Sequence, residues 1–148
     1  MGFKSNHTAG KAGEEQTAMA ASTTDQLVGI LRDTIVAMVR REGPDLTARQ
    51  LGVFLTCYLR EGEHTVRGLA AELDVSKPAI TRALDRLGEF DLARRKRDTR
   101  DRRSVLVQRT LRGNALLRDL IKILDEAARN AGLPGAPAAP ARRVRAAA

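Results

Sequence analysis

The chain has 148 residues, of which 43% are hydrophobic, and a formal net charge of +8. This length supports one hydrophobic core and excludes two full-sized domains, so the sequence predicts a single domain with loose ends. The excess of positive charge predicts an anionic partner, which favours nucleic acid and leaves an anionic membrane surface as an alternative.

The cysteine count and the hydropathy pattern indicate the cell compartment. Cys57 is the single cysteine, which excludes an intramolecular disulfide and a cysteine-based zinc site and fits a reducing cytosol. The longest uncharged apolar run, residues 51–59, is far shorter than the roughly 20 residues that a membrane-spanning helix needs. The N-terminus lacks the apolar segment of a secretory signal. We therefore expect a cytoplasmic protein with no membrane partner.

Both ends of the chain lack the periodicity of a packed element. Residues 1–22 mix Gly, Ala, Ser, Thr and charge, and residues 132–148 are rich in Pro, Ala and Gly with three arginines. This composition predicts disordered tails, which leaves a folded domain over residues 23–131.

Two helices are predicted in the first half of this domain. Apolar residues recur every three or four positions over 27–39, and the Gly-Pro pair at 43–44 ends the first helix. Thr47 and Gln50 have the spacing of a capping box, so a second helix is predicted from there to about residue 59.

A short helix, a tight turn and a capped helix follow. Residues 66–73 carry a short apolar stripe, and Asp74 begins the turn. Ser76 caps a fourth helix, predicted over residues 76–88, in which Pro78 is tolerated because first-turn amides have no intrahelical partner. The glycine at the end of that range is expected to terminate the helix.

From residue 92 the sequence pattern changes from helical to extended. Residues 92–109 contain two short segments that flank the polar stretch 98–103, as the strands of a hairpin flank their turn. A last helix with apolar residues at helical spacing is predicted near 114–131, ahead of a Gly and a Pro.

This order of elements predicts a winged helix-turn-helix, a mainly α fold with a small β-hairpin wing. The turn sets two helices at a steep angle, so the second can enter the major groove of DNA while its apolar side stays in the core. Candidates for DNA contact are the polar residues off the buried stripe of this recognition helix: Ser76, Lys77, Thr81, Arg82 and Arg86.

Arg82 is the first candidate for reading a base. Its guanidinium can donate two parallel hydrogen bonds to guanine O6 and N7. The polar residues at the helix start suit phosphate oxygens or base edges. The alternative is a solvated helix face on which Arg82 and Arg86 pair with nearby carboxylates, those of Asp85 or Glu89.

Positive charge is concentrated in the predicted wing. Residues 92–112 hold nine basic residues against two aspartates, a net charge of +7. The four consecutive cations at 94–97 repel one another, which predicts an anionic partner that offsets the repulsion. The candidate DNA-contacting residues of the wing are Arg94, Arg95, Lys96, Arg97, Arg100, Arg102 and Arg103.

These wing cations predict phosphate contacts with strong salt dependence and little sequence information. An arginine at the tip, Arg100 or Arg102, could enter the narrow minor groove of an A·T-rich tract. Asp98 and Asp101 predict a shaped loop rather than a featureless basic arm, with the second aspartate pairing with Arg102 or Arg103.

The wing sequence D-x-R-D-R-R at 98–103 is followed by an apolar strand, Thr110 and Gly113. With these features, residues 46–113 resemble the DNA-binding core of the MarR (multiple antibiotic resistance regulator) family. The resemblance implies a homodimeric transcription regulator, usually a repressor, which binds a pseudo-palindromic operator with one recognition helix and one wing per half-site. It also implies an Asp101–Arg103 pair and, in many relatives, release of DNA by a small molecule or an oxidant.

Three features depart from the pattern of that family. Asp91 replaces the usual glycine before the first wing strand, and aspartate tolerates the left-handed conformation of such a turn. Arg109 replaces an apolar residue and is expected to leave the core and add a phosphate contact. Prolines leave one C-terminal helix where relatives have two, so a homodimer is expected through the helices near 25–42 and 114–131.

The remaining reactive side chains indicate neither a catalytic site nor a metal site. Cys57 lies in an apolar run and is interpreted as a buried thiol rather than an oxidant sensor. His7 and His64 have no acidic cluster beside them, and no catalytic constellation is present, so we expect no metal, no cofactor and no enzyme.

The competing hypothesis is a protein-interaction module whose basic wing docks on an acidic protein or a membrane surface. Cations on both the fourth helix and the wing favour DNA, because groove docking needs both.

Overall fold

The computed structural model describes residues 9–101 and 103–133, with side chains from residue 23 onward. Over these residues the elements, in chain order, are α1 (Ala9–Arg40), α2 (Ala48–Leu59), β1 (His64–Thr65), α3 (Val66–Glu72), α4 (Lys77–Glu89), β2 (Ala93–Arg97), β3 (Val105–Arg109) and α5 (Leu111–Asn130). The described residues divide into two compact units: residues 41–122 form one, and residues 9–40 and 123–133 form the other. The predicted class, mainly α with a small β-hairpin wing, is confirmed.

Side chains cap three helices of the 41–122 unit, at the predicted positions Thr47 and Ser76 and at Thr65, which the sequence analysis did not single out. The capping box of α2 is complete, since the Gln50 amide donates to Thr47 Oγ1 at 3.3 Å and the Thr47 amide donates to Gln50 Oε1 at 2.9 Å. Thr65 caps α3 and Ser76 caps α4, each through its hydroxyl oxygen. These caps accept hydrogen bonds from first-turn amides that have no partner within the helix. The local sequence therefore determines where each helix begins.

Two aspartates in the left-handed conformation form the turns on either side of α4. Asp74, with a φ of 50°, lies between α3 and α4, and Asp91, with a φ of 54°, lies between α4 and β2. Aspartate is among the few L-residues that adopt this conformation readily, so Asp91 replaces glycine as expected. The expected stop at Gly88 is wrong: α4 continues to Glu89, and the Asp91 turn ends it.

The wing is part of a three-stranded antiparallel sheet with the order β1-β3-β2. The hairpin pairs Ala93 with Arg109 at its base and Arg97 with Val105 near its tip. His64 pairs with Val107, which adds β1 to the far edge of β3. Two residues are too few to show an alternating pattern, and for this reason the sequence did not predict β1.

Buried apolar side chains hold the 41–122 unit together and fix which face of α4 points outward. Val53, Phe54, Leu69, Ile80, Leu87 and Leu92 are almost fully buried. Because Ile80, Leu84 and Leu87 form the inward stripe of α4, the polar residues between them lie on the opposite side. Packing of the core therefore exposes the polar face of α4.

The first helix is longer than the sequence pattern predicts. It begins at Ala9, within the segment predicted as a disordered tail, whereas its apolar periodicity starts near residue 27. The segment 9–22 is rich in alanine, the strongest helix former, so intrinsic propensity extends the helix past its apolar stripe. The remaining parts of the predicted tails, residues 1–8 and 134–148, lie outside the described residues.

Most of the apolar stripe of α1 faces solvent. Its exposed members are Leu27, Val28, Leu31, Ile35 and Val39, with exposed fractions between 49% and 78%. At about 100° per residue, these five side chains fall within an arc of about 120° on one face. Ile30 and Thr34, beside this arc, are buried. In the described part of the chain, none of the helices combines the length and apolarity needed to cross a membrane.

Candidate DNA interface

The outward face of α4 carries the residues predicted to contact DNA. Lys77, Arg82 and Arg86 are exposed, and Thr81 is half-buried. Ser76 precedes the helix, and its hydroxyl oxygen already accepts a hydrogen bond from the Ala79 amide. The three basic side chains thus share one accessible helix surface, whereas Ser76 has a capping role as well.

Ion pairing distinguishes the two arginines in the middle of α4. Arg86 Nη1 lies 2.5 Å from Glu89 Oε2, and its guanidinium lies 4.4 Å from the centre of the Phe90 ring. Arg82 has no carboxylate within 4.0 Å among the residues that the structure describes. Asp85, one turn away, pairs instead with Arg95 of β2. Arg86 is therefore paired with a carboxylate, as the alternative of a solvated helix face predicts, whereas Arg82 is not.

The wing cations divide in the same way. Arg94 Nε lies 3.0 Å from Asp91 Oδ1, and Arg100 Nη2 lies 3.6 Å from Glu63 Oε1. Among the described residues, three wing cations have no carboxylate at ion-pair distance: Lys96, Arg97 and Arg103. Arg102 lies outside the described residues. All the described wing candidates are exposed, so both the paired and the unpaired cations are accessible to a partner.

The two wing aspartates bind main-chain amides at the tip. Asp98 Oδ1 accepts a hydrogen bond from the Arg100 amide at 2.8 Å, and Asp101 Oδ1 accepts one from the Arg103 amide at 3.0 Å. A short carboxylate reaches the amide two residues ahead, which is the geometry of an Asx turn. Asp101 therefore contacts the backbone of Arg103, whereas the resemblance implied its guanidinium.

The same arrangement of helices and wing occurs in known proteins. Residues 46–105 match the model of the MarR family. This segment is a MarR-family domain. It spans the helix-turn-helix, the first wing strand and the wing tip, and it ends as the second wing strand begins. No curated protein sequence matches the chain.

Solved structures resemble most of the chain at low sequence identity. YusO from Bacillus subtilis is 19% identical with a TM-score of 0.59, over 84% of this chain and 83% of that one. The transcriptional regulator Tm0710 from Thermotoga maritima is 19% identical with a TM-score of 0.60, over 80% and 78%. Reduced AbfR bound to DNA is 20% identical with a TM-score of 0.53, over 78% and 80%. At these identities the likeness shows a shared winged-helix fold.

One tyrosine hydroxyl joins both ends of the wing to α2. Tyr58 Oη donates to the carbonyl oxygen of Leu92 at 2.7 Å and accepts from the Thr110 amide at 2.8 Å. Thr110 Oγ1 in turn donates to the Asp91 carbonyl at 2.6 Å and accepts from the Gly113 amide at 2.9 Å. We call Tyr58, Thr110 and Gly113 the wing anchor.

The wing anchor was missed at the level of sequence. Tyr58 lies in the apolar run of α2 and has the pattern of a core residue, and it is indeed 6% exposed. The available signal was Thr110 followed by Gly113, which belongs to the sequence that resembles the MarR family. Its structural reason becomes clear only from contacts between distant segments.

Arg109 caps the C-terminal end of α2. Its Nε donates to the Cys57 carbonyl at 2.7 Å, and its Nη2 donates to the Arg60 carbonyl at 2.6 Å. Carbonyls in the last helical turn lack intrahelical donors, and a cation there also opposes the helix dipole. Arg109 is exposed, as expected, but two of its guanidinium donors bind carbonyls at the end of α2, and the phosphate contact stays a prediction.

The Cys57 thiol is buried beneath this cap. It is 1% exposed, and burial raises its pKa from 9.0 to about 11, against the opposing effect of the Arg109 charge. A thiol with this pKa stays protonated at neutral pH, so it lacks the thiolate that an oxidant sensor needs. Among the described residues, no three His, Cys, Asp or Glu side chains are grouped to hold a metal.

Proposed function

We propose that this protein is a sequence-specific transcription regulator that binds double-stranded DNA. In this proposal α4 enters the major groove, and the β2–β3 hairpin contacts the backbone beside it. The observation that carries the proposal is the state of Arg82, which is exposed on α4 and has no described carboxylate within ion-pair distance although Asp85 is one turn away. A guanidinium in this state can donate hydrogen bonds to the edge of a guanine base.

The unpaired wing cations support the second part of the proposal. Lys96, Arg97 and Arg103 are exposed, and each offers its full charge to phosphate oxygens. The paired arginines, Arg86, Arg94, Arg95 and Arg100, would have to exchange a carboxylate for a phosphate. Arg100 and Arg102 remain our candidates for the minor groove. The fold similarity to AbfR, which is bound to DNA in its structure, supports the same type of partner.

A homodimer is the assembly that we propose for this regulator. The exposed apolar arc of α1 offers the kind of surface that a second copy covers, and Ile121 and Leu124 of α5 are exposed as well. Two copies would read a pseudo-palindromic operator, one half-site each. Repression by occupying that operator, relief by a small-molecule ligand and a cytoplasmic location are parts of the proposal that rest on the family.

Selection from a random duplex library tests the proposal. The wild-type protein should enrich a palindrome with a defined half-site spacing. Arg82→Ala should weaken binding to that operator by about 1–3 kcal/mol and relax the preference at one position of each half-site. The matched control is Arg129→Ala, which removes the same charge from the last turn of α5 and should leave the preference unchanged.

Two results would contradict the proposal in different ways. An unchanged preference in Arg82→Ala would remove this residue from base readout while leaving DNA binding intact. Duplex DNA that binds no more tightly than heparin at physiological salt would support the interaction module, in which the wing docks on an acidic protein or membrane surface.

A further inference from the structure

In the ion pairs that the structure describes, four carboxylates of the 41–122 unit each hold one arginine of the candidate DNA interface. Glu89 pairs with Arg86 along α4, Asp91 pairs with Arg94 at the start of the wing, and Glu63 pairs with Arg100 at the tip. Asp85 pairs with Arg95, and of these four ion pairs it is the one that joins α4 to the wing. This connection distinguishes Asp85 from the other three carboxylates.

Folding stability does not explain the Asp85–Arg95 pair. The Asp85 side chain is 46% exposed and the Arg95 side chain 42% exposed, so water and salt screen their attraction. Exposed pairs of this kind contribute little to the free energy of unfolding. A carboxylate on a surface proposed to meet phosphates also repels them. An effect on DNA binding is therefore a better explanation than an effect on folding.

The pair affects specific and non-specific complexes differently. Non-specific binding depends on phosphate contacts alone, so every free cation increases it. Specific binding also requires the recognition helix and the wing to reach their grooves at one fixed spacing. A link between Asp85 and Arg95 favours this spacing and at the same time competes with unspecific phosphate contacts of Arg95.

We propose that Asp85 is a positioning residue that determines specificity by holding Arg95. This inference rests on the proposed function, because it requires a preferred operator. Asp85 raises the ratio of operator affinity to random-duplex affinity, chiefly by lowering the affinity for random duplex.

The experiment compares binding of the selected operator and of a random duplex of equal length between 50 and 200 mM salt. Asp85→Ala should tighten random-duplex binding by about fivefold and steepen the salt dependence by about one phosphate contact. Operator affinity should change by less than about twofold, because the added contact is offset by the lost link between α4 and the wing. Alanine suits the helix interior, so the variant is expected to fold.

Two further variants separate the pair from a general charge effect. Glu126→Ala removes an exposed carboxylate from α5 and should leave both affinities unchanged. In an Arg95→Gln background, Asp85→Ala should no longer tighten random-duplex binding, because the cation that it releases is absent. This double-variant comparison isolates the pairwise contribution.

The outcomes distinguish this inference from the proposed function. If the wild-type protein selects an operator but Asp85→Ala leaves random-duplex affinity unchanged or weaker, the inference is overturned and the proposed function stands. A gain that persists in the Arg95→Gln background also overturns it, since Asp85 would then act by repelling phosphates directly. A wild-type protein that selects no operator overturns both.

Discussion

Gly113 is a position at which the structure leaves no room for a side chain. A Cβ atom there would lie 1.8 Å from Tyr58 Oη and 2.5 Å from the Leu92 carbonyl oxygen. Both atoms belong to the hydrogen bonds that hold the wing to α2. The glycine is thus required by close packing rather than by an unusual backbone angle, and it lets α5 begin directly against the wing anchor.

Substitution of Gly113 should therefore be costly. Gly113→Ala should lower the free energy of unfolding by about 1–3 kcal/mol, because the new methyl group displaces the Tyr58 hydroxyl from its partners. Urea denaturation measures this change. The matched control is Gly52→Ala in α2, where a Cβ meets nothing within 4 Å and helix propensity should add about 0.5–1 kcal/mol. Equal effects of the two substitutions would contradict the steric explanation.

Cys57 provides a second test at the scale of one residue, through pH. In the unfolded chain the thiol ionises above its ordinary pKa of 9.0, whereas in the folded protein it stays protonated to about 11. Between these values the unfolded state binds fewer protons, so stability falls as pH rises. The loss attributable to Cys57 is on the order of 2 kcal/mol, since one pKa unit corresponds to about 1.4 kcal/mol.

Urea denaturation of the wild type and of Cys57→Ala from pH 8 to pH 11 measures this contribution. Other groups titrate in the same range, so the informative quantity is the difference between the two proteins. The wild type should lose its stability advantage as pH rises above 9. Parallel declines in the two proteins would show that burial does not raise the pKa of this thiol.

At the scale of elements, the wing combines a fixed base with a cationic strand. The wing anchor holds the positions that precede β2 and follow β3, and the two Asx turns shape the tip. Between them, β2 carries Lys96 and Arg97, which have no carboxylate at ion-pair distance in the described part of the chain. The wing should therefore contribute affinity for DNA that does not depend on the base sequence.

Replacement of these two cations tests that role. Lys96→Gln with Arg97→Gln should weaken binding to operator and random duplex by similar factors and reduce the salt slope by about two phosphate contacts. The matched control is Arg86→Gln with Arg94→Gln, which removes two cations that are already paired and should have a smaller effect. Salt titrations of all three proteins provide the measurement. A selective loss of operator binding would instead assign base readout to the wing.

Sequence predicted those elements whose signals are local. The capping box at Thr47, the cap at Ser76 and the left-handed Asp91 are properties of a few adjacent residues, and all three predictions are confirmed. The role of Tyr58 and the partner of Arg109 depend on segments about 50 residues away, which no periodicity encodes. Ion pairing is similarly non-local, so sequence named the basic candidates without showing which of them are paired.

At the scale of the whole molecule, α1 carries more exposed large apolar side chains than any other element of the described fold. Leu31 lies within the apolar arc of α1 and is 58% exposed, and Arg32, the next residue, lies outside it. A surface of this kind favours association of two copies, because burial of apolar area stabilises a dimer. Recognition of a two-half-site operator by α4 would then depend on assembly through α1.

Leu31→Asp should therefore produce a monomer. Analytical ultracentrifugation should show a halved mass, and affinity for a full palindrome should fall to that for a single half-site. Arg32→Asp introduces the same side chain one position away and should remain dimeric. A wild-type protein that sediments as a monomer, or a Leu31→Asp variant that stays dimeric, would remove α1 from the interface.

The Tyr58 hydroxyl also has a consequence for how the protein is made. Its two hydrogen bonds close loops of 34 and 52 residues, so they form only after distant segments of the chain meet. During synthesis, which delivers the N-terminal residues first, α2, α3 and α4 can pack before Thr110 and Gly113 have left the ribosome. The nascent protein would thus hold a recognition helix before it has an anchored wing. Competence to bind DNA would then be acquired late in translation.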